Sequence, residues 1–339
     1  MTISSNLEEF AGKRIVDFRK SGDVADFSAV TPRLRCGYDA PTPREQGLSL
    51  REKLARIFTP PSPPPPEDDD RNLRDLLAAM LDEPGVRSTQ AIVFGMWMDN
   101  GESYEVTPAS TIELLVLNKD RLPDLTALFF GDITVEENEM SWIEQSDYSA
   151  IWGAFPRLGH FGVRGSNNLS LGAINHPTLH TLVVESGGLP ASIVREALAA
   201  NAPIRHLELW LGDEGYGADT SVDDFKDLLS GALFPNLHTL ALRNSEYSDD
   251  LATALATAPI LDRIKMLDLS MGTLTDRGAQ ALIGSGRIGQ LEKLDISHHY
   301  VSKAVVEELR HSTPRLVAAD PQQPDDWDGE PHYYVAVSE

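Results

Sequence analysis

Two stretches, Leu237-His-Thr-Leu240-Ala-Leu242 and Ile264-Lys-Met-Leu267-Asp-Leu269, carry the same L-x-x-L-x-L spacing. Outward from them the pattern recurs at Leu179-His-Thr-Leu182-Val-Val184, Ile204-Arg-His-Leu207-Glu-Leu209 and Leu291-Glu-Lys-Leu294-Asp-Ile296. Degenerate copies precede these at Leu125-Thr-Ala-Leu128-Phe-Phe130 and Leu158-Gly-His-Phe161-Gly-Val163. Weaker strand candidates are Ala91–Phe94 and Leu169-Ser-Leu171. The middle anchors Leu128, Phe161, Leu182, Leu207, Leu240, Leu267 and Leu294 lie 21 to 33 residues apart. Apolar, free, apolar is the strand period of two, so each copy predicts a short strand with one buried face. A fixed internal period is the mark of a stacked array.

Three residues past each last anchor comes a turn position, filled by Gly187, Gly212, Ser245, Gly272 and His299. Helical stretches follow. Ser248–Ala258 carries Leu251 and Leu255 one helical turn apart. Thr275–Gly284 offers Thr275 as N-cap with Ala279, Leu282 and Ile283 inward. Ser302–His311 offers Ser302 as N-cap with Val305, Val306 and Leu309 inward. Ser221 opens another, with Asp223 and Asp224 in its first turn, where the helix dipole favours acids. Pro203, Pro235, Pro259 and Pro314 stop the helices.

Strand, turn, helix, return: over residues 86–317 the chain resembles a leucine-rich-repeat protein of the ribonuclease-inhibitor-like type. That resemblance implies an α/β solenoid, a horseshoe with a parallel concave sheet and outer helices. The family carries Asn or Cys at the turn, whereas this chain has Gly, Ser or His, so its backbone groups there need other partners. The chain also looks like a group of bacterial leucine-rich-repeat proteins encoded beside radical-SAM, ATP-grasp and sulfatase-like enzymes. Gly187-Gly-Leu-Pro190 and the Tyr-Val-x-Val ending carry that likeness. It implies a partner or scaffold role in a modification pathway.

Residues 1–85 read as a capping region for the exposed first coil. Arg14–Phe18 and Thr31–Tyr38 are strand candidates, and Arg71–Leu81 places Leu73, Leu76, Leu77, Met80 and Leu81 on one helical face. Within it, Asp39–Asp70 is a Pro-rich, acidic stretch expected to be a mobile loop around a short helix, Leu48–Phe58. A P-x-x-P ligand is the alternative reading. Residues 318–339 form an acidic linker and a C-terminal tail, expected either to pair at the edge of the sheet or to be recognised by a partner.

Of 339 residues, 52 are acidic and 29 basic, a net charge of −23. A chain of this size buries roughly three quarters of its unfolded surface. Its charge repels phosphates, so no nucleic-acid partner is expected. No apolar run reaches the roughly 20 residues of a membrane span, and no signal pattern opens the chain. A single cysteine, Cys36, excludes an internal disulfide and suits a small buried residue. The expectation is a soluble, cytoplasmic protein.

Catalytic motifs are missing: there is no G-x-x-x-x-G-K-[ST], H-E-x-x-H or G-x-S-x-G. Arg164-Gly-Ser-Asn-Asn168 lacks the lysine of a phosphate loop, and the neighbours His298 and His299 would point to opposite faces of a strand. No enzymatic activity, cofactor or metal is expected. Residues flanking each middle anchor project from the concave face and stack into columns. The candidate partner-binding residues are Phe129, Arg164, Val183, Glu185, His206, Glu208, Trp210, Arg243, Met266, Asp268 and Asp295. Phe129, Trp210 and Met266 are the expected hot spots, unless a loop covers them.

The turns after the strands hold Asp132, Glu136, Glu137, Glu139, Glu144 and Asp147, then Asp213, Glu214, Asp219, Asp223, Asp224 and Asp227, then Glu246, Asp249 and Asp250. If they share one rim, it attracts a basic partner. The plainer alternative is that they solubilise the protein and complement helix N-termini. The expected function is a non-enzymatic module that binds a protein or peptide on its concave face and acidic rim. The alternatives are a substrate modified on its tail or loop by neighbouring enzymes, and an inhibitor of a basic enzyme. Oligomeric state is not legible.

Overall fold

The computed structural model describes residues 3–36, 73–97 and 106–338. The Pro-rich stretch and the Leu48–Phe58 helix lie outside the described residues. The anchors dictate the architecture. Leu128, Phe161, Leu182, Leu207, Leu240, Leu267 and Leu294 are each paired with the next in one unbroken register. They sit on β5 (Ala127–Phe130), β6 (His160–Arg164), β7 (Thr181–Glu185), β8 (His206–Gly212), β9 (Thr239–Ser245), β10 (Met266–Asp268) and β11 (Lys293–Asp295). These strands pair in parallel, in chain order.

The sheet extends at both ends. At the start are β1 (Glu9–Phe10), β2 (Lys13–Asp17), β3 (Thr31–Leu34) and β4 (Ala91–Phe94), and at the far end is β12 (Leu316–Val317). All twelve strands follow sequence order, and only β1 with β2 is antiparallel. Within the first 36 residues, β2 and β3 are the first parallel members of the sheet itself.

Among the described residues eight α-helices connect or follow these strands: α1 (Leu73–Leu81), α2 (Ala109–Leu117), α3 (Ser149–Ala154), α4 (Ala191–Leu198), α5 (Lys226–Leu229), α6 (Ser248–Thr257), α7 (Asp276–Ser285) and α8 (Lys303–Ser312). Their inner faces are the apolar positions the sequence offers. Leu73, Leu76, Leu77, Met80 and Leu81 of α1 are buried, as are Leu251 and Leu255 of α6 and Val305, Val306 and Leu309 of α8. They share one core with the strand anchors. Cys36 is buried in that core too. Ser221 starts a 3-10 turn with a capping box before α5, and the Thr275 hydroxyl accepts from Arg277 N–H at the start of α7.

At the ends of β9, β10 and β11 the chain bends through a left-handed residue: Asn244 (φ +54°), Met271 (φ +70°) and His298 (φ +58°) sit at equivalent places. Asn tolerates this conformation, while for Met and His it costs roughly 1–2 kcal/mol. The backbone groups there find partners without an asparagine at positions 187, 212, 245, 272 and 299. The Ser245 carbonyl accepts from the Ser248 hydroxyl (2.7 Å) and Thr273 N–H (3.0 Å), and His299 Nδ1 accepts from Val301 N–H (3.1 Å).

The acids of the turns work between coils. Asp249 accepts from the backbone of Thr275 (2.8 Å) and Gly278 (3.1 Å) at the start of α7. Asp276 accepts from Ser302 N–H (2.6 Å) before α8, and Asp219 from Ala191 N–H at α4. Each carboxylate sits at the helix end that favours negative charge.

The tail does not extend the sheet edge, because β12 already occupies it, with Leu294 N–H donating to Arg315 O (2.9 Å). After an isolated hairpin of β13 (Asp325–Trp327) and β14 (Glu330–His332), residues Tyr333–Ser338 form a strap. It passes the turns after β11 and β10 and the end of β9, then reaches the turn after β7. Burial of Val335 and Val337 drives this course.

Candidate interaction face

Residues between the anchors point away from the helices, onto a face that divides into two halves. In the first half, Ala91, Val93, Ala127 and Phe129 make an apolar patch, and the antiparallel β1 lays Phe10 on it. The Phe10 ring meets Phe129 edge-on at 5.9 Å and His160 at 4.6 Å, while Leu7 and Ile15 pack at the margin. Gly162 makes room: a Cβ there would stand 2.5 Å from the Phe129 ring. Phe129 is thus 3% exposed, a covered residue and not an open hot spot.

Next to it lies a buried ionic chain. Asp132 accepts from Arg33 Nη1 (2.8 Å) and Leu7 N–H (3.0 Å), with Arg164 3.9 Å away. Arg164 binds Glu185 through Nε (2.7 Å) and the Ile133 carbonyl through Nη1 (2.8 Å), and its guanidinium lies 5.7 Å from the Phe129 ring centre. Burial pushes the Glu185 carboxyl up, against the pull of Arg164. Arg164, Glu185 and Val183 are all buried. Burial under Phe10 likewise brings the His160 imidazole down to about 4, with His206 and His180 adding to the effect.

The second half is open and polar. Glu208 is its centre. It accepts from Trp210 Nε1 (2.8 Å) and Arg243 Nη1 (2.7 Å) and pairs with His206 Nε2 (3.1 Å). Burial alone would raise this carboxyl; the bonds from His206, Arg243 and Trp210 outweigh it and hold it at about 2. The Arg243 guanidinium stacks over the Trp210 ring at 4.9 Å, donates to the Ser270 hydroxyl (3.0 Å) and lies 3.6 Å from Asp268. Burial pushes Asp268 up. One coil on, burial opposes ionisation of Asp295, and Ser297 N–H (3.0 Å) and Lys293 (2.9 Å) hold it low.

Trp210 is 6% exposed, roofed by Arg243, so it too is a support and not an open anchor. His206, Glu208, Arg243, Met266, Asp268 and Asp295 remain half-exposed. The structure therefore gathers six of the candidates on the open half and buries Phe129, Arg164, Val183, Glu185 and Trp210 beneath or beside it. Sequence reasoning missed Phe10 and Arg33, because neither belongs to an L-x-x-L-x-L copy, and it placed Asp132 on an open rim instead of in this buried chain.

The acidic rim is largely committed. Asp132 is buried, Glu137 binds Arg35 (3.2 Å) and Thr134 N–H (2.8 Å), and Asp147 accepts from Ser149 N–H (2.8 Å). Glu136 and Glu139 stay exposed. His298 and His299 are occupied separately, by Asp320 and Val301 N–H. Among the described residues no group of three or more metal-ligating side chains converges, and no helix is long and apolar enough to cross a membrane.

No family model and no curated protein matches the sequence. Among solved structures, a protein from Bacteroides fragilis is 31% identical, aligned over 78% of this chain and 73% of its own length, with a TM-score of 0.69. By that identity and coverage, this chain belongs to the same family as the Bacteroides fragilis protein.

Proposed function

We propose that the chain is a leucine-rich-repeat solenoid of the ribonuclease-inhibitor-like type, and that it binds a protein or peptide partner on the open half of its concave face. In this reading it is a cytoplasmic, non-enzymatic module. The single observation that carries it is the Glu208–Trp210–Arg243–Asp268 cluster. Its Glu208, Arg243 and Asp268 are charged, half-exposed and held by mutual bonds over the buried Trp210 ring, on a face whose other half is sealed. A pre-organised cluster loses little side-chain entropy when a partner lands on it. Glu208, Asp268 and Asp295 outnumber Arg243 and Lys293 there, which favours a basic partner segment and makes association weaker in salt. Inhibition of a basic enzyme is the version of this reading in which the partner is catalytic.

The experiment is affinity purification from the native host with three baits: wild type, Asp268→Lys, and Glu308→Lys on the exposed face of α8. A partner retained by wild type and Glu308→Lys but lost with Asp268→Lys supports the reading. A partner retained equally by all three overturns it.

A further inference from the structure

We propose that the groove crossed by the strap is a second binding site, for an extended uncharged peptide of a partner protein, and that Tyr333–Ser338 occupy it as a competitor in cis. The site reads backbone. The Asn244 side-chain amide donates to the Val337 carbonyl and accepts from Val337 N–H (3.0 Å). Asn244 is fully buried and held left-handed, so its amide is committed to that direction. Ala336 N–H donates to the Met271 carbonyl (2.8 Å). The Tyr300 hydroxyl accepts from Tyr334 N–H (2.9 Å) and donates to Tyr334 O (3.0 Å), and His298 Nε2 reaches the same carbonyl (3.2 Å). At the far end Gly187 leaves space that a Cβ would take from the Ser338 carbonyl.

Backbone bonds with alternate side chains buried are the way extended peptides are recognised in trans. Here the buried side chains are Val335 and Val337, so the partner segment needs aliphatic residues two apart and no charge between them. The strap reaches the groove by an exposed arm whose hairpin forms a two-stranded sheet of its own. The arm holds the strap near by effective concentration, and a free segment competes against that.

The test inserts a protease site at the exposed Asp328-Gly329 turn, cuts the folded full chain, and adds a fluorescein-labelled peptide of the sequence Tyr333–Ser338. Saturable binding is expected, at least tenfold weaker in the uncut protein. It should fall at least tenfold with Asn244→Ala in the protein or Val337→Asp in the peptide. A chain ending at Pro331 repeats the measurement with the groove vacant from the start. If neither preparation binds the peptide, or if Asn244→Ala binds it equally well, the proposal fails. A two-copy species in uncut protein that Asn244→Ala abolishes would assign the occupant to a second copy and overturn the partner version.

Discussion

The two halves of the front face are built on different strands of one sheet in one register, yet they solve opposite problems. On β4 and β5 the outward residues are apolar, and water is excluded by Phe10 from a strand that runs against the rest. Between β8 and β11 the outward residues Glu208, Arg243, Asp268, Lys293 and Asp295 are charged, and they satisfy one another while keeping contact with solvent. A side chain's role on this face is set by what covers its column, not by its place in the repeat. Phe129 and Trp210 are both large aromatics at outward positions, and neither is free: one lies under a ring, the other under a guanidinium.

That contrast is most exposed at Asp132. Asp132→Ala removes a buried carboxylate from Arg33 and Arg164, which keep Asp17 and Glu185, and should cost about 3 kcal/mol in urea denaturation. A loss under about 1 kcal/mol would mean that the sealed half is wetter than described. Phe129→Ala should follow at ~3 kcal/mol, since it empties the space beneath Phe10. If thermal melting is unchanged in that variant, the patch is not a core.

Acid separates the halves further. His160 takes up a proton near 6.5 in the unfolded chain and near 4 when folded, so the stability its neutral ring contributes is full above 6.5 and lost as pH falls to about 4. His160→Gln should remove ~2 kcal/mol of that acid sensitivity, after allowance for the ring's partial solvent access. Glu208, at about 2 folded against 4.5 unfolded, contributes above 4.5 and loses its contribution as pH falls towards 2. Glu208→Gln should flatten only this lower window. Stability curves with one merged window would break the distinction. Smallest of all, Met266→Arg on the open half should change stability by no more than ~0.5 kcal/mol; a large loss would place Met266 in a covered site.

Strand order and register were legible because burial enforces the period: a slip by one residue would turn Leu207 or Leu240 to water. The helices after β9, β10 and β11 were legible from caps and apolar spacing. Short helices such as Ser149–Ala154 were not, since six residues hold barely two turns of pattern. The face was legible only as columns. What covers a column comes from residues distant in sequence: Phe10 over Phe129, Arg243 over Trp210. The repeat register sets Arg243 beside Trp210, but no spacing encodes Phe10 over Phe129. The strap was harder still, because alternating Tyr333–Ser338 suits a sheet edge as well as a path across the turns.

Stacked coils that touch only their neighbours can unravel from the last one inward, each step costing little. The strap forbids that order. Joined to Tyr300, Met271 and Asn244 and resting against Gly187, it ties the final coils to one four strands earlier. Amide hydrogens of β11 should therefore exchange at nearly the same slow rate as those of β8, where an unfastened array would show a gradient towards its end.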